Sequence, residues 1–149
     1  MKFTIERATT RDVEDVAYLF DLYRQFYQQP ADPPATVAFL HDRLERNESV
    51  VFVARNDAGQ AIAFAQLYPL FCSVALKRQW LLYDLYVLPE ARRTGVARAL
   101  LERCRELGIQ TASHALFLET GHTNTAAQQL YEAAGWQREA QFVKYNLWL

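Results

Sequence analysis

Three places along the chain hold residue types that could do chemistry. The first is Arg92-Arg93-Thr94-Gly95-Val96-Ala97-Arg98, which follows the apolar run Leu85-Tyr86-Val87-Leu88 and the segment Pro89-Glu90-Ala91. A strand turning into a helix here would expose unpaired N–H groups at the positive end of a helix dipole. Gly95 and Ala97 are small enough to let a diphosphate approach that backbone. Arg92, Arg93 and Arg98 add positive charge. The same residues also fit an ordinary tight turn with solvated arginines, because one glycine and one alanine make a weak motif. The second place is Asp84, inside Trp80-Leu81-Leu82-Tyr83-Asp84-Leu85-Tyr86-Val87. A carboxylate in so apolar a strand is costly unless it has a partner or faces a polar cleft. It reads either as a group that binds an amine or relays its proton, or as a structural hydrogen-bond hub. Strict alternation puts Asp84 with Leu82 and Tyr86 on one face, opposite Tyr83, Leu85 and Val87. The third is Tyr131, whose phenol, with an ordinary pKa of about 10, is a proton donor at neutral pH. Taken alone, it equally suits a core tyrosine with a satisfied hydroxyl.

Other polar groups are less pointed. Glu119 and His122 could approach the same chemistry, the first in an orienting role and the second as a solvated loop residue. Cys72 and Cys104 have no activating neighbours in sequence, and neither these cysteines nor His41, His114 and His122 show metal-ligand spacing. No metal site and no disulfide are expected.

These groups need elements to hold them. Residues 3–7 alternate as a strand. Thr9 with Asp12 resembles a capping box, followed at helical spacing by Val13, Val16, Ala17, Phe20 and Tyr23. A second helix starts near Pro34 and carries Val37, Leu40 and Leu44. Ser49–Arg55 and Ala61–Tyr68 read as a hairpin around Asn56-Asp57-Ala58-Gly59, with a loop containing Pro69 and Cys72 after it. Trp80–Val87 is the strongest strand and ends at Pro89. A helix then carries Val96, Leu100, Cys104 and Leu107. Ala115–Glu119 reads as a short buried strand, and Thr125–Ala134 as a helix stopped by Gly135. The tail, with Phe142, Tyr145, Leu147 and Leu149, suggests one or two final strands. The order predicts an α/β domain spanning 1–149. Its mixed sheet is flanked by helices and contains a parallel β-α-β crossover.

Composition sets the outer bounds. The chain has 149 residues, with 51% hydrophobic and 22% charged, which suits one folded domain. A formal charge of −1 argues against a nucleic-acid partner. No run is apolar enough to span a membrane, and Met1 opens an alternating segment rather than a signal, so a cytoplasmic protein is expected. The alternating tail with Trp148 could pair with a second subunit, which makes a homodimer an expectation.

Arg92-x-x-Gly95-x-Ala97 resembles the Q/R-x-x-G-x-G/A signature of GNAT acetyltransferases. Asn124-x-x-Ala127-x-x-Leu130-Tyr131-Glu132-x-x-Gly135-Trp136 is similar to the family's second signature, in the right order and spacing. The likeness covers residues 80–136 strongly. It implies a sheet splayed into an acetyl-CoA cleft, with acetyl-CoA as co-substrate. By position, the backbone of Leu85, Tyr86 and Val87 would meet the pantetheine arm. The amides of Arg93, Thr94, Gly95, Val96, Ala97 and Arg98 would hold the pyrophosphate, beside Arg92. Asn124 would bind the pantetheine arm and Tyr131 would protonate the departing thiolate. Arg93 stands where many members have glycine. Asp84 would handle the acceptor, with Tyr23, Phe26 and Glu119 nearby. The Tyr83–Val87 strand looks like that of diamine acetyltransferases, but Tyr83 replaces the first of their two carboxylates. A small-molecule primary amine is therefore the expected acceptor. Acetylation of a protein lysine or N-terminus, and a non-catalytic acyl-CoA sensor, remain open at this point.

Overall fold

Thr9 and Asp12 form the reciprocal cap that their spacing predicts: the Asp12 carboxylate accepts from the Thr9 amide at 2.8 Å, and the Thr9 hydroxyl oxygen accepts from the Arg11 amide. This cap follows strand β1 (Phe3–Arg7) and opens a 3₁₀ turn into helix α1 (Val13–Phe26). Asp32 caps helix α2 (Pro33–Glu45) by accepting from the Ala35 amide, and the prolines occupy first-turn positions that need no N–H. Strands β2 (Val50–Asn56) and β3 (Ala61–Cys72) meet in a hairpin. There the Asn56 side-chain oxygen accepts from the Ala58 and Gln60 amides, both at 3.0 Å. Strand β4 (Lys77–Val87), helix α3 (Val96–Gln110) and strand β5 (Leu116–Phe117) complete this part of the chain.

The computed structural model describes residues 1–149, which divide into two compact units, Met1–Glu119 and Thr120–Leu149. In the first, the sheet order is β1-β2-β3-β4-β5; every pair is antiparallel except β4–β5, which is parallel. The crossover through α3 is the one predicted. On one face, Val51, Val53 and Phe64 pack against Val16 and Leu19 of α1 and Leu40 of α2. Full burial of a side chain such as Phe64 contributes about 1.5–3 kcal/mol. The other face is covered by α3. The Trp80 indole donates to Thr111 Oγ1 at 2.9 Å, and Arg103 lies over the Phe52 ring.

Two strand predictions need correction. No loop begins at Pro69, because β3 runs through it to Cys72, with Pro69 opposite Trp80. The β2 partner stops at Val50, opposite Leu67, so Pro69 sits where β3 has become an edge and its missing N–H breaks no central ladder. The last parallel strand spans only Leu116–Phe117 and is half-exposed, where a buried Ala115–Glu119 was predicted.

Arg55 ties β2 to the first helix. Its guanidinium meets Glu6 at 2.7 Å, Asp12 at 2.8 Å and Asp15 at 2.6 Å. Burial pushes the Asp12 carboxyl up, but the Thr9 amide and Arg55 outweigh this and hold it below the usual range. Arg55→Met keeps the stem and leaves three carboxylates facing one another. It is expected to cost about 2 kcal/mol in denaturant titration near neutrality. Asp12's share is present above its unfolded pKa and is lost as pH falls through the lowered folded value, so the gap between the proteins should narrow in acid.

In the second unit, Asn124 caps helix α4 (Thr125–Ala133) by accepting from the Ala127 amide at 3.3 Å. Gly135, at φ 88°, lets the chain turn so that the Trp136 amide reaches the Tyr131 carbonyl at 3.0 Å. Residues 137–149 form neither helix nor strand, contrary to the one or two strands predicted. Their alternation of residue types is genuine, but a strand also needs a ladder partner, and this unit contains no other strand.

Candidate active site

One extra residue in β4 organises the first unit's polar centre. Gln66 lies opposite Asp84 and Leu67 opposite Leu82, so Tyr83 is left over as a β-bulge. A bulge breaks the two-residue alternation and bends its strand. Asp84 and Tyr86, opposite Gln66 and Phe64, keep the α1–α2 face, and Tyr86 packs against that core. Leu82 and Trp80 fall on the α3 face. Tyr83 shares Asp84's side, where its ring meets Tyr68 edge-on at 5.5 Å. The predicted grouping of Asp84 with Leu82, opposite Tyr83, is therefore wrong: strict alternation assumes an unbroken ladder.

Asp84 is only 3% exposed and Gln66 is fully buried. Gln66 Nε2 donates to Asp84 Oδ2 at 2.8 Å, and Ser49 Oγ donates to Gln66 Oε1 at 2.9 Å. The Tyr23 hydroxyl donates to the Tyr83 carbonyl at 3.1 Å and also faces the Asp84 carboxylate. Burial pushes the Asp84 carboxyl up to about 6, against the hydrogen bonds from Gln66 and Tyr23 that favour its charged form. Burial likewise raises the Tyr23 and Tyr68 phenols, and the negative charge of Asp84 adds to both. A carboxyl poised near neutrality beneath three tyrosines can exchange a proton with an amine.

The bulge also opens the sheet. β4 pairs with β5 only at Trp80–Leu116 and Leu81–Phe117, so from Leu82 onward its β5-side edge lacks a strand partner. The Leu88 amide bonds to the Ile62 carbonyl of β3, which turns the backbone groups of Val87 and Leu85 toward the open edge. Arg92 Nε donates to the Val87 carbonyl at 3.1 Å, and the guanidinium lies near the Tyr86 ring, so this arginine fastens the strand end to the turn. In the turn, Gly95 has φ 90° and Arg93 has φ 63°. The arginine thus adopts the left-handed conformation that a glycine would take more easily. The first helical bond is from the Ala99 amide to the Gly95 carbonyl, so the amides of Val96, Ala97 and Arg98 precede it and point out of the helix start. Together, an open strand edge and a row of amides suit an extended ligand ending in phosphates.

Of the remaining predicted residues, Tyr23 joins the Asp84 group. Phe26 does not: it is exposed, and its ring meets only Tyr27, edge-on at 5.2 Å. Glu119 is exposed and lies beyond the end of β5. Asn124 and Tyr131 belong to the second unit, where Tyr131 packs near Trp136. Cys104 is buried and its thiol is pushed up to about 12 by that burial, which removes it as a nucleophile at neutral pH. Sequence reasoning missed Ser49, Gln66 and Tyr68. Gln66 left a signal: it is the one polar residue within Ala61-Ile62-Ala63-Phe64-Ala65-Gln66-Leu67, and a buried amide must have partners.

The sequence profile of the acetyltransferase (GNAT) family matches residues 16–136. The chain belongs to that family and is an acyltransferase. It is 42% identical over 143 residues to a Bacillus subtilis protein described as uncharacterized N-acetyltransferase YhfO, covering 96% of this chain and 95% of that one. A probable acetyltransferase of Haemophilus influenzae is 36% identical over 76% of this chain and 77% of its own. Among solved structures, a probable acetyltransferase superposes with a TM-score of 0.93 at 37% identity, covering 98% of this chain and 97% of that one. An aminoglycoside N-acetyltransferase solved with CoA shares the fold, with a TM-score of 0.82 at 21% identity, over 98% of this chain and 95% of its own.

Proposed function

We propose that this protein moves an acetyl group from acetyl-CoA to a primary amine of a small molecule by direct attack. The observation that carries this reading is a buried carboxyl, hydrogen-bonded by Gln66, beside the bulge where β4 parts from β5. The open backbone of Leu85 and the amide of Val87, whose carbonyl is held by Arg92, support docking of the pantetheine arm as an added strand. The amides at the start of α3 suit the pyrophosphate, with Arg93 and Arg98 supplying charge. Direct transfer is favoured because Cys72 and Cys104 have no activating neighbours in sequence, and Cys104 is in addition buried and inert. The acceptor enters largely as an ammonium. Asp84 takes its proton, and burial of the carboxyl favours a relay through the Tyr23 hydroxyl or a water over a direct ion pair. The neutral nitrogen attacks the thioester carbonyl, a C–N bond forms, the C–S bond breaks and the thiolate leaves; the nitrogen sheds its second proton as the amide forms, which makes good the one given to the thiolate.

Two residues of the second unit enter through the family signature alone. Asn124 would offer its amide to the pantetheine arm, since its side-chain oxygen already caps α4. Tyr131 would protonate the thiolate. Tyr131→Phe is expected to lower kcat by roughly 10²-fold while leaving coenzyme A affinity within a factor of about two, by thiol release and calorimetry. Unchanged turnover would remove Tyr131 from the reaction. The acceptor class is tested by thiol release from acetyl-CoA against amino acids, polyamines, aminoglycosides and peptides. Turnover confined to peptides would replace the small molecule by a protein amine, and coenzyme A binding without turnover would make the protein a sensor.

A further inference from the structure

The Ser49–Gln66–Asp84 chain has a direction. An ionised carboxylate only accepts hydrogen bonds, so Gln66 must turn its NH₂ toward Asp84. Its carbonyl oxygen then faces Ser49, whose hydroxyl has to donate. Both bonds are well formed, at 2.9 and 2.8 Å, and all three residues are buried. A fully buried glutamine on the central strand is costly unless its polar groups are matched, and here each has one partner of the required kind. The consequence falls on the two carboxylate oxygens. Oδ2 is occupied by an amide donor, and the hydroxyl oxygen of a carboxylic acid accepts less well than its carbonyl oxygen. A proton arriving at Asp84 is therefore directed to Oδ1.

We infer that Gln66, locked by Ser49, is a positioning residue that fixes which Asp84 oxygen receives the acceptor's proton and keeps that carboxyl ionisable inside the sheet. The inference rests on the reading of Asp84 as the group that takes that proton. In the step concerned, an N–H bond of the ammonium breaks, directly or through the relay, and an O–H bond forms at Oδ1. The other groups facing Asp84 all oppose its ionisation or leave it alone, except one. Tyr23 from α1 turns its hydroxyl toward it but donates to the Tyr83 carbonyl, whereas Tyr68 of β3 and Tyr83 of β4 supply no cation, and Arg43 of α2 acts on Tyr68. Gln66 is thus the main support of the charged form, and Ser49 holds it in that orientation.

The test is a carbon-13 NMR titration of the Asp84 carboxyl in the full chain, which needs no acceptor. The wild-type midpoint is expected near 6. Gln66→Met, similar in volume and without donors, should raise it by about one unit or more. Ser49→Ala, which frees the amide to turn over, should raise it by less. Ser49→Ala also keeps the test alive if the methionine variant does not fold. An unchanged midpoint in the folded variants overturns the inference. The underlying reading fails separately: thiol release that survives Asp84→Asn would remove Asp84 from the reaction, whatever the titration shows.

Discussion

Asp84→Asn is expected to make the protein more stable and nearly inactive. Burial raises the Asp84 carboxyl from 3.8 to about 6, so the native state holds its proton more tightly than the unfolded chain between those values. Stability therefore falls as pH rises through that window, and the cost persists at neutral pH. The shift corresponds to at most about 3 kcal/mol. Asparagine carries no charge, and its side-chain oxygen can still accept from Gln66. A gain of about 1–3 kcal/mol follows, equivalent to a rise of roughly 2–4 °C in Tm per kcal/mol for a domain of this size. Turnover should drop by roughly 10²–10⁴-fold, the span of a lost acid–base group. Calorimetric melts at pH 4 and pH 7 provide the check, because the stabilisation should be large at pH 7 and small at pH 4. A variant that is both less stable and active would show Asp84 to be a structural hub.

The second large effect belongs to Gly95. Nothing lies within 4 Å of where its Cβ would stand, so a side chain there meets open space. The obstacle is the backbone, held at φ 90°, where β-branched residues are strongly disfavoured. Gly95→Val should shift the turn and scatter the amides of Val96, Ala97 and Arg98. Coenzyme A affinity is expected to fall by at least about 10-fold, with a stability loss of about 1–3 kcal/mol. Because conformation and not size is limiting, Gly95→Asn should be milder than Gly95→Ala despite its bulk. Calorimetry with coenzyme A across the three variants reads both quantities. If affinity followed side-chain volume, or did not change in any variant, the turn would not be the phosphate site.

The donor half of the proposed site is the more legible from residues alone. It depends on local backbone features, a strand exit, a turn and a helix start, and Gly95 and Ala97 mark these in the chain itself. The acceptor half depends on contacts between strands far apart in sequence. Asp84 announced a need for a partner but could not name Gln66, which lies 18 residues away on a neighbouring strand. The bulge at Tyr83 was invisible because it is a mismatch between two ladders and not a property of either strand. The same mismatch explains the short last strand: once β4 bends at Tyr83, residues after Phe117 no longer have an edge to follow. Pro69 misled in the opposite sense, since a proline in a strand is harmless only where one neighbour has ended.

Tyr83 acts as a phase shift written into the strand. Every strand residue after it, through Val87, stands on the opposite face from the one that simple alternation from Trp80 would give. Removing this one residue would join Leu82 to Asp84 in an even ladder, with Gln66–Asp84 and Phe64–Tyr86 still opposite each other, so the bend would go while Asp84 and the edge of Leu85 and Val87 kept their sides. On the proposed reading, the bulge serves the donor more than the acceptor, because it keeps the edge beside Leu85 and Val87 uncovered. A β4 without Tyr83 would let β5 run further along that edge and cover it, whereas on the same reading new acceptor preferences would arise by substitution beside Asp84, at positions such as Tyr23, Tyr68 and Tyr83.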